Sequence, residues 1–395
     1  MFHTASDSDI KQGRVSDVYF QHAVEVLRAK GIKRQVLAEV RASSLPDGYR
    51  WGVLAGVEEV AQLAAGLPAT VRCMPEGSVF GANEPVLSIE GEYTEWGVYE
   101  TALLGLLCQA SGVATKAARC RLAAGNRALI SFGARRMHPA LAPMIERNAY
   151  LGGCDGVAVI ASADLLGIPA SGTMPHALIL LVGDAVKAFE MFNQVLPASV
   201  PRICLVDTLC DEKREAMAAA EALGPALEAV RLDTPGSRRG DMAAILQEVR
   251  WELDLRGHRQ VKLMVSGGLD EQSIVDLNPY ADGYGVGTAI SNAAVVNFAL
   301  DIVEIEGKPF AKRGKTSGRK EVLRCPACGH RRIVPAGTPA QADQAQQVAD
   351  RKCLCGAEME QLLQLLTKEG KAVRELRPVK ELRSYVLEQT AGLEL

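Results

Sequence analysis

The sequence predicts an α/β protein: an irregular parallel α/β barrel, preceded by an α+β domain and followed by a small zinc-binding element. Three observations carry this. A strand–turn–helix unit repeats between residues 113 and 292. Its strands are continuous apolar runs, the pattern of a parallel sheet buried on both faces. Four cysteines, Cys325, Cys328, Cys353 and Cys355, gather near the C-terminus at metal-ligand spacing.

Residues 1–112 supply the first region. A helical pattern covers 18–30, residues 35–42 alternate like a strand, and 58–65 is helical again. Short β-like runs punctuated by Gly and Pro follow, notably 81–91, and 94–108 reads as the helix leading out. In the second region, 113–292, the strands are expected at 128–131, 156–161, 169–173, 202–206, 228–232, 261–265 and 282–286. Helices are expected at 140–150, 184–195, 211–223, 241–255 and 270–277, most of them opening on an Asp placed to serve as N-cap. So many units favour a barrel, closed or incomplete, over an open doubly wound sheet. The third region, 293–395, carries a candidate helix, a basic patch (Lys308, Lys312, Arg313, Lys315, Arg319, Lys320), the cysteine cluster and a final helix. Residues 335–350, rich in Ala and Gln, read equally as a helix or a loop.

Composition narrows the function. A formal net charge of −3 gives no field to attract nucleic acid or an anionic membrane, and 5% aromatic residues make a poor stacking platform. The basic patch is short and reads as a solvated face. Residues 1–17 lack the apolar stretch of a secretory signal, and the apolar run 177–182 is far too short to span a bilayer. A cytoplasmic protein with no membrane partner is expected. The scattered cysteines, Cys73, Cys108, Cys120, Cys154, Cys204 and Cys210, read as inert thiols.

Function in a parallel barrel sits in the loops after the strands. Here those loops hold Arg135 and Arg136, Thr173 and His176, Asp207 and Thr208, Arg231 and Asp233, Ser266-Gly267-Gly268, and Gly285-Val286-Gly287-Thr288. Glycines let backbone N–H groups approach an anion, and two such turns on the last strands form a phosphate cup. Neighbouring arginines should diverge, so one of Arg135 and Arg136 faces the barrel mouth to bind a carboxylate or phosphate bidentately. Arg231 and Asp233 share one side of their strand, and with Asp207 they frame a Mg²⁺-bound diphosphate or a structural Arg–Asp network. His176 lies at the functional rim, where a chemical role is favoured over a capping one. An aldolase- or isomerase-type barrel would need a Lys or Glu at a strand end, and these loops offer neither.

Cys325-Pro-Ala-Cys328 and Cys353-Leu-Cys355 offer four thiolates for a closed tetrahedral site, with Gly329 and Gly356 suiting the turns around it. Four protein ligands leave no open position, so the metal is structural, with zinc favoured over iron.

Taken together, Ser131-Phe-Gly-Ala-Arg-Arg-Met-His-Pro139, Ser171-Gly-Thr-Met-Pro-His176, Leu205-Val-Asp-Thr208, Arg231-Leu-Asp-Thr-Pro-Gly-Ser-Arg-Arg-Gly-Asp241 and Val265-Ser-Gly-Gly-Leu-Asp270 resemble the nicotinate phosphoribosyltransferases. The resemblance is closest to their archaeal-type branch, which carries a C-terminal zinc-knuckle-like element; Ser16-Asp-Val-Tyr19 and 84–91 fit as well. It implies an α+β sandwich domain beside the barrel, and a reaction in which the ring nitrogen of nicotinate displaces pyrophosphate from phosphoribosyl pyrophosphate. Quinolinate and nicotinamide are the alternative bases. It also implies that Ser266–Gly268 and Gly285–Gly287 hold the ribose 5′-phosphate, and that Asp207, Thr208, Arg231 and Asp233 attend the ribose and its Mg²⁺-bound diphosphate. Arg135 or Arg136 would meet the carboxylate, with Thr173 nearby. Tyr19, with Asp17, would stack on the pyridine across the interface of a homodimer or larger homo-oligomer. ATP-coupled members phosphorylate the histidine matching His176 and often place Glu after it; here Ala177 follows, and ATP coupling stays open.

Overall fold

The computed structural model describes residues 2–336 and 351–395. The chain forms two compact units, Met1–Thr115 with Ala294–Gly392, and Lys116–Ala293 with Leu393–Leu395. The segment after residue 293, separate in the sequence reading, thus belongs almost wholly to the first unit.

Six parallel strands organise the second unit: β1 (Ala128–Ser131), β2 (Gly156–Val157), β3 (Ile203–Leu205), β4 (Ala229–Leu232), β5 (Lys262–Ser266) and β6 (Gly283–Val286). They pair in the order β2-β1-β6-β5-β4-β3. That is the cyclic order of a barrel cut open between β2 and β3. The first strand pairs with the last, Ala128 opposite Gly283 and Ser131 opposite Val286. Leu129, Val230, Leu232, Leu263, Val265 and Val286 are all buried, as continuous apolar strands require. Each such side chain stabilises the sheet by roughly 1.5–3 kcal/mol. Around the strands run α1 (Ala142–Leu151), α2 (Ile160–Leu166), α3 (His176–Val182), α4 (Ala185–Val195), α5 (Glu212–Leu223), α6 (Met242–Leu255) and α7 (Glu271–Leu277). Asp184, Asp211, Asp241 and Asp270 cap α4 to α7, each accepting the backbone N–H three residues on.

Two expected strands differ. Only Gly156 and Val157 of 156–161 are extended, because Ile160 begins α2. Residues 169–173 form no strand at all. Pro169 and Pro175 bracket this stretch without N–H donors to offer a ladder. It lies in the gap between β2 and β3, so the missing strand is what leaves the barrel open.

In the first unit a seven-stranded antiparallel sheet runs in the order Lys308–Pro309, Phe298–Ile305, Gln35–Ala42, Leu87–Glu92, Ala69–Cys73, Gln364–Lys368, Lys371–Ala372. Its core includes Trp96, Phe80 and Phe298. The helix expected just after residue 293 is instead the strand Phe298–Ile305, paired along its length with Gln35–Ala42. Its alternating burial suits a sheet covered on one face. The helix read as 94–108 extends much further, as Glu100–Ala124. Its Ala- and Leu-rich run past residue 112 gives no stop signal.

The basic patch is largely ion-paired. Lys312 and Lys315 each lie 2.7 Å from Asp301, Arg319 lies 2.7 Å from Glu90, and Lys320 lies 2.8 Å from Glu39. A small antiparallel sheet, Lys320–Arg324, Arg331–Pro335 and Glu360–Gln361, carries the cysteines. Of the 335–350 segment, residues 337–350 lie outside the described residues. The final helix is Val379–Thr390.

Candidate active site

All six barrel strands end on the same side, and a cavity of about 510 Å³ opens there. Arg135, Arg136, Thr173, His176, Arg231 and Asp233 line it, as do Ser266, Gly267, Gly268, Gly285, Gly287 and Thr288. Residues far apart in sequence therefore converge because each closes a strand or the loop after one.

The glycine turn after β5 has Gly267 and Gly268 at φ +85° and +66°, where a Cβ would be strained. Ser266 is buried, and its hydroxyl donates to Asp233 Oδ1 at 2.7 Å, joining β5 to the loop after β4. Gly285 serves a different need. A Cβ there would stand 2.3 Å from the Phe132 ring. Phe132 in turn faces the Arg231 guanidinium at 5.8 Å, within cation–π reach. This glycine thus seats an aromatic ring in the cavity wall, a residue that the strand-end reading overlooked although it stood inside a quoted motif.

Arg135 and Arg136 sit in a single 3₁₀ turn, Ala134–Arg136. Successive side chains in such a turn are about 120° apart rather than opposed. Both reach the cavity, where the sequence suggested one would turn away.

Asp207 stands behind the lining, its side chain 2% exposed, with His176 Nε2 3.3 Å from its Oδ1. Burial pushes its carboxyl up, His176 draws it back, and the charge of Asp233 pushes it further. Arg231 reaches Asp233 at 3.8 Å. Neither Asp207 oxygen makes a hydrogen bond of good geometry, nor do the buried Thr173 Oγ1, Thr208 Oγ1 and Arg231 Nε. Buried polar atoms are nearly always bonded, so five orphans around one cavity mark a place built for a polar ligand. Two carboxylates beside buried hydroxyls are suitable donors for a hard cation carrying a diphosphate.

Asp17 and Tyr19 belong to the first unit. The Asp17 N–H donates to Thr101 Oγ1 at 3.0 Å, and the Thr101 hydroxyl donates back to Asp17 Oδ2 at 2.9 Å. Tyr19 is 60% exposed.

Also in that unit, the Sγ atoms of Cys325, Cys328, Cys353 and Cys355 lie within 4.8 Å of one another, a cluster that can hold a metal such as zinc. Cys325–Cys355 and Cys328–Cys353 are each 3.5 Å apart. Tetrahedral zinc with bonds of about 2.3 Å sets sulfurs roughly 3.8 Å apart. The two arms turn alike: Gly329 and Gly356, at φ +71° and +89°, donate to the carbonyls of Cys325 and Cys353.

The N-terminal and C-terminal domain families of quinolinate phosphoribosyl transferase match residues 17–111 and 113–301. A nicotinate phosphoribosyltransferase of Mycobacterium tuberculosis is 32% identical over 359 residues, covering 80% of this chain and 79% of that one. The chain belongs to the nicotinate phosphoribosyltransferase family. It is an enzyme of the phosphoribosyltransferase type. A crystal structure of nicotinate-nucleotide pyrophosphorylase from Pyrococcus furiosus shares 53% identity with this family member, at TM-score 0.95 over 100% of this chain and 99% of that one. The crystal structure of human nicotinic acid phosphoribosyltransferase, 21% identical at TM-score 0.71 over 96% of this chain and 94% of that one, shares the fold.

Proposed function

We propose that the enzyme transfers phosphoribosyl from phosphoribosyl pyrophosphate to nicotinate, forming nicotinate mononucleotide and pyrophosphate. The observation that carries the choice of base is the cation inventory of the cavity. Its lining holds three arginines and no lysine, and Arg231 already faces Asp233 and Asp207. Arg135 and Arg136 remain for an acid-bearing pyridine, which disfavours the uncharged amide of nicotinamide, and the likeness to a nicotinate phosphoribosyltransferase favours nicotinate over quinolinate. The name of the Pyrococcus furiosus protein joins nicotinate nucleotide to pyrophosphate, products that nicotinate and quinolinate share, so it supports phosphoribosyl transfer to a pyridine acid without choosing between the two. That likeness extends over the whole chain and supports placement in the archaeal-type branch. Quinolinate is the second reading, favoured by the two domain families.

In this mechanism Ser266–Gly268, Gly285, Gly287 and Thr288 hold the ribose 5′-phosphate. Asp207 and Asp233 hold the Mg²⁺ of the substrate, with Thr208 and Arg231 beside the ribose and diphosphate. Magnesium, when bound, neutralises charge on the departing pyrophosphate. The developing positive charge on the ribose meets the carboxylates, so positioning and electrostatics carry most of the rate. Thr173 flanks the base. Tyr19 and Asp17 of a second copy stack on and orient the pyridine, which requires at least a dimer. His176, whose Nε2 lies 3.3 Å from Asp207 Oδ1, is the residue at which ATP coupling is to be tested, and the Cys325, Cys328, Cys353, Cys355 cluster binds structural zinc.

Incubation with phosphoribosyl pyrophosphate, Mg²⁺ and each of nicotinate, quinolinate and nicotinamide tests the reading. Pyrophosphate release is expected with nicotinate. Release from quinolinate alone would transfer the assignment to that base. ATP hydrolysed per mononucleotide, measured alongside His176→Ala, is expected to fall to background in the variant.

A further inference from the structure

Two loops of the cavity share a dipeptide: Asp207-Thr208 follows β3 and Asp233-Thr234 follows β4. Both are gripped by the first turn of one helix, α5. Glu215 is 3% exposed and accepts three consecutive backbone N–H groups, from Thr208 at 3.0 Å, Leu209 at 2.7 Å and Cys210 at 2.9 Å. Glu212, one turn earlier on the same face, accepts the Thr234 hydroxyl at 2.5 Å. Neither carboxylate is needed to cap the helix, because Asp211 does that through the Arg214 N–H at 2.9 Å. Arg239 secures the second loop from the other side, donating to the Thr234 carbonyl at 3.1 Å.

The device recurs in the sheet. Glu146 of α1, fully buried, accepts the N–H groups of Ala158 and Val159, each at 3.0 Å, in the turn after β2. A buried carboxylate is costly unless hydrogen bonds compensate it, and here the loops supply that compensation.

We propose that Glu212 and Glu215 are positioning residues that set the separation of Asp207 and Asp233 by clamping the residue after each. The geometry gives each a distinct action. Three N–H groups converging on Glu215 curl the chain immediately after Asp207, which turns its carboxylate towards His176. Glu212 fixes Thr234, and so the start of the loop that presents Asp233 to Ser266. Asp207 and Asp233 repel one another, so an external brace is required to hold both at the distance a cation-borne diphosphate spans.

The inference rests on the proposed roles of Asp207 and Asp233, and its test separates the two. Calorimetric titration with Mg²⁺ and phosphoribosyl pyrophosphate needs no pyridine base. Glu215→Gln leaves one acceptor for three donors and is expected to weaken this binding by about tenfold or more, with the KM for nicotinate unchanged. In an Asp207→Asn background the same substitution is expected to cost less than about twofold, because the group it positions is gone. Should Glu215→Gln not fold, the other arm of the brace serves: Glu212→Ala and Thr234→Val are expected to weaken binding alike and not to add in combination. Unchanged affinity in Glu212→Ala and Glu215→Gln, or full additivity in both cycles, overturns the brace. Wild-type protein that binds phosphoribosyl pyrophosphate but releases none of its pyrophosphate with nicotinate overturns the choice of base and leaves the brace standing.

Discussion

The two ends of the parallel sheet are opposites. At the ends where its strands begin lies the larger cavity, about 1220 Å³ against about 510 Å³ where they finish. There most of the charged groups have partners. Asp155 and Asp282 accept the Leu129 and Leu263 N–H groups at 2.9 and 2.8 Å. Arg127 donates to the carbonyls of Ala281 and Asn278 at 2.9 and 2.5 Å, and Arg250 to those of Val261 and His258 at 2.6 and 3.0 Å. At the other end Thr173, Asp207, Thr208 and Arg231 are half-buried and carry buried polar atoms left unbonded. Volume therefore does not locate the chemistry; unmet hydrogen-bonding demand does. One end is satisfied and holds the sheet together, while the other keeps its demand for a ligand.

The contrast breaks most readily at Asp207. Asp207→Asn is expected to lower kcat/KM by about a hundred- to a thousandfold. It should also raise the Tm by about 2 °C, because burial disfavours the charge that Asn removes. The pH sign agrees. A carboxyl raised above its ordinary value gives stability that is fully present at low pH and is lost as pH rises through the folded-state value. A fall in Tm at pH 8 would refute the idea of a strained acid. Arg127→Ala, at the opposite end, should do the reverse, losing about 2 kcal/mol of stability in denaturant titration with activity per folded molecule intact.

Arg135→Ala and Arg136→Ala come next. Whichever meets the carboxylate should raise the KM for nicotinate by roughly ten- to a hundredfold and leave that for phosphoribosyl pyrophosphate unmoved. The cysteine cluster extends the comparison to the first unit. Cys325→Ser is expected to cut bound zinc from about one per chain to near zero in elemental analysis, and to expose the 320–361 sheet to protease. The smallest effect is at Glu100, raised to about 7 by burial and the neighbouring charge of Asp301. Its stabilisation is complete below its ordinary value near 4.5 and fades as pH rises through about 7. Glu100→Gln should match wild type at pH 5 and melt a degree or so higher at pH 8.

Much of the barrel was legible in the sequence, because apolar runs ending in Gly, Asp or Arg, followed by Asp-capped helices, are local signals. Residues 169–173, Pro-Ala-Ser-Gly-Thr, misled because they stand at a strand's place in the repeat; only the Ser171 N–H, donating to the Val157 carbonyl at 2.7 Å, pairs as a strand would. The strand Phe298–Ile305 was missed because its partner, Gln35–Ala42, lies at the far end of the chain, and no local pattern announces such pairing. Most of the site's lining was legible from strand ends, with Phe132 the exception. Its support was not. Glu212 and Glu215 sit in Glu-Lys-Arg-Glu, a composition that reads as a solvated helix start, and only the fold reveals a carboxylate turned inward.

The pairing of β1 with β6 has a kinetic consequence. These strands open and close the barrel sequence, so their union is its most non-local contact and the costliest in loop entropy. Phe132 and Gly285 meet across that seam, and Arg231 lies over the ring. The cavity therefore forms when the first barrel strand in sequence pairs with the last. In refolding, recovery of phosphoribosyl pyrophosphate binding should follow the slowest phase, while helix content recovers ahead of it.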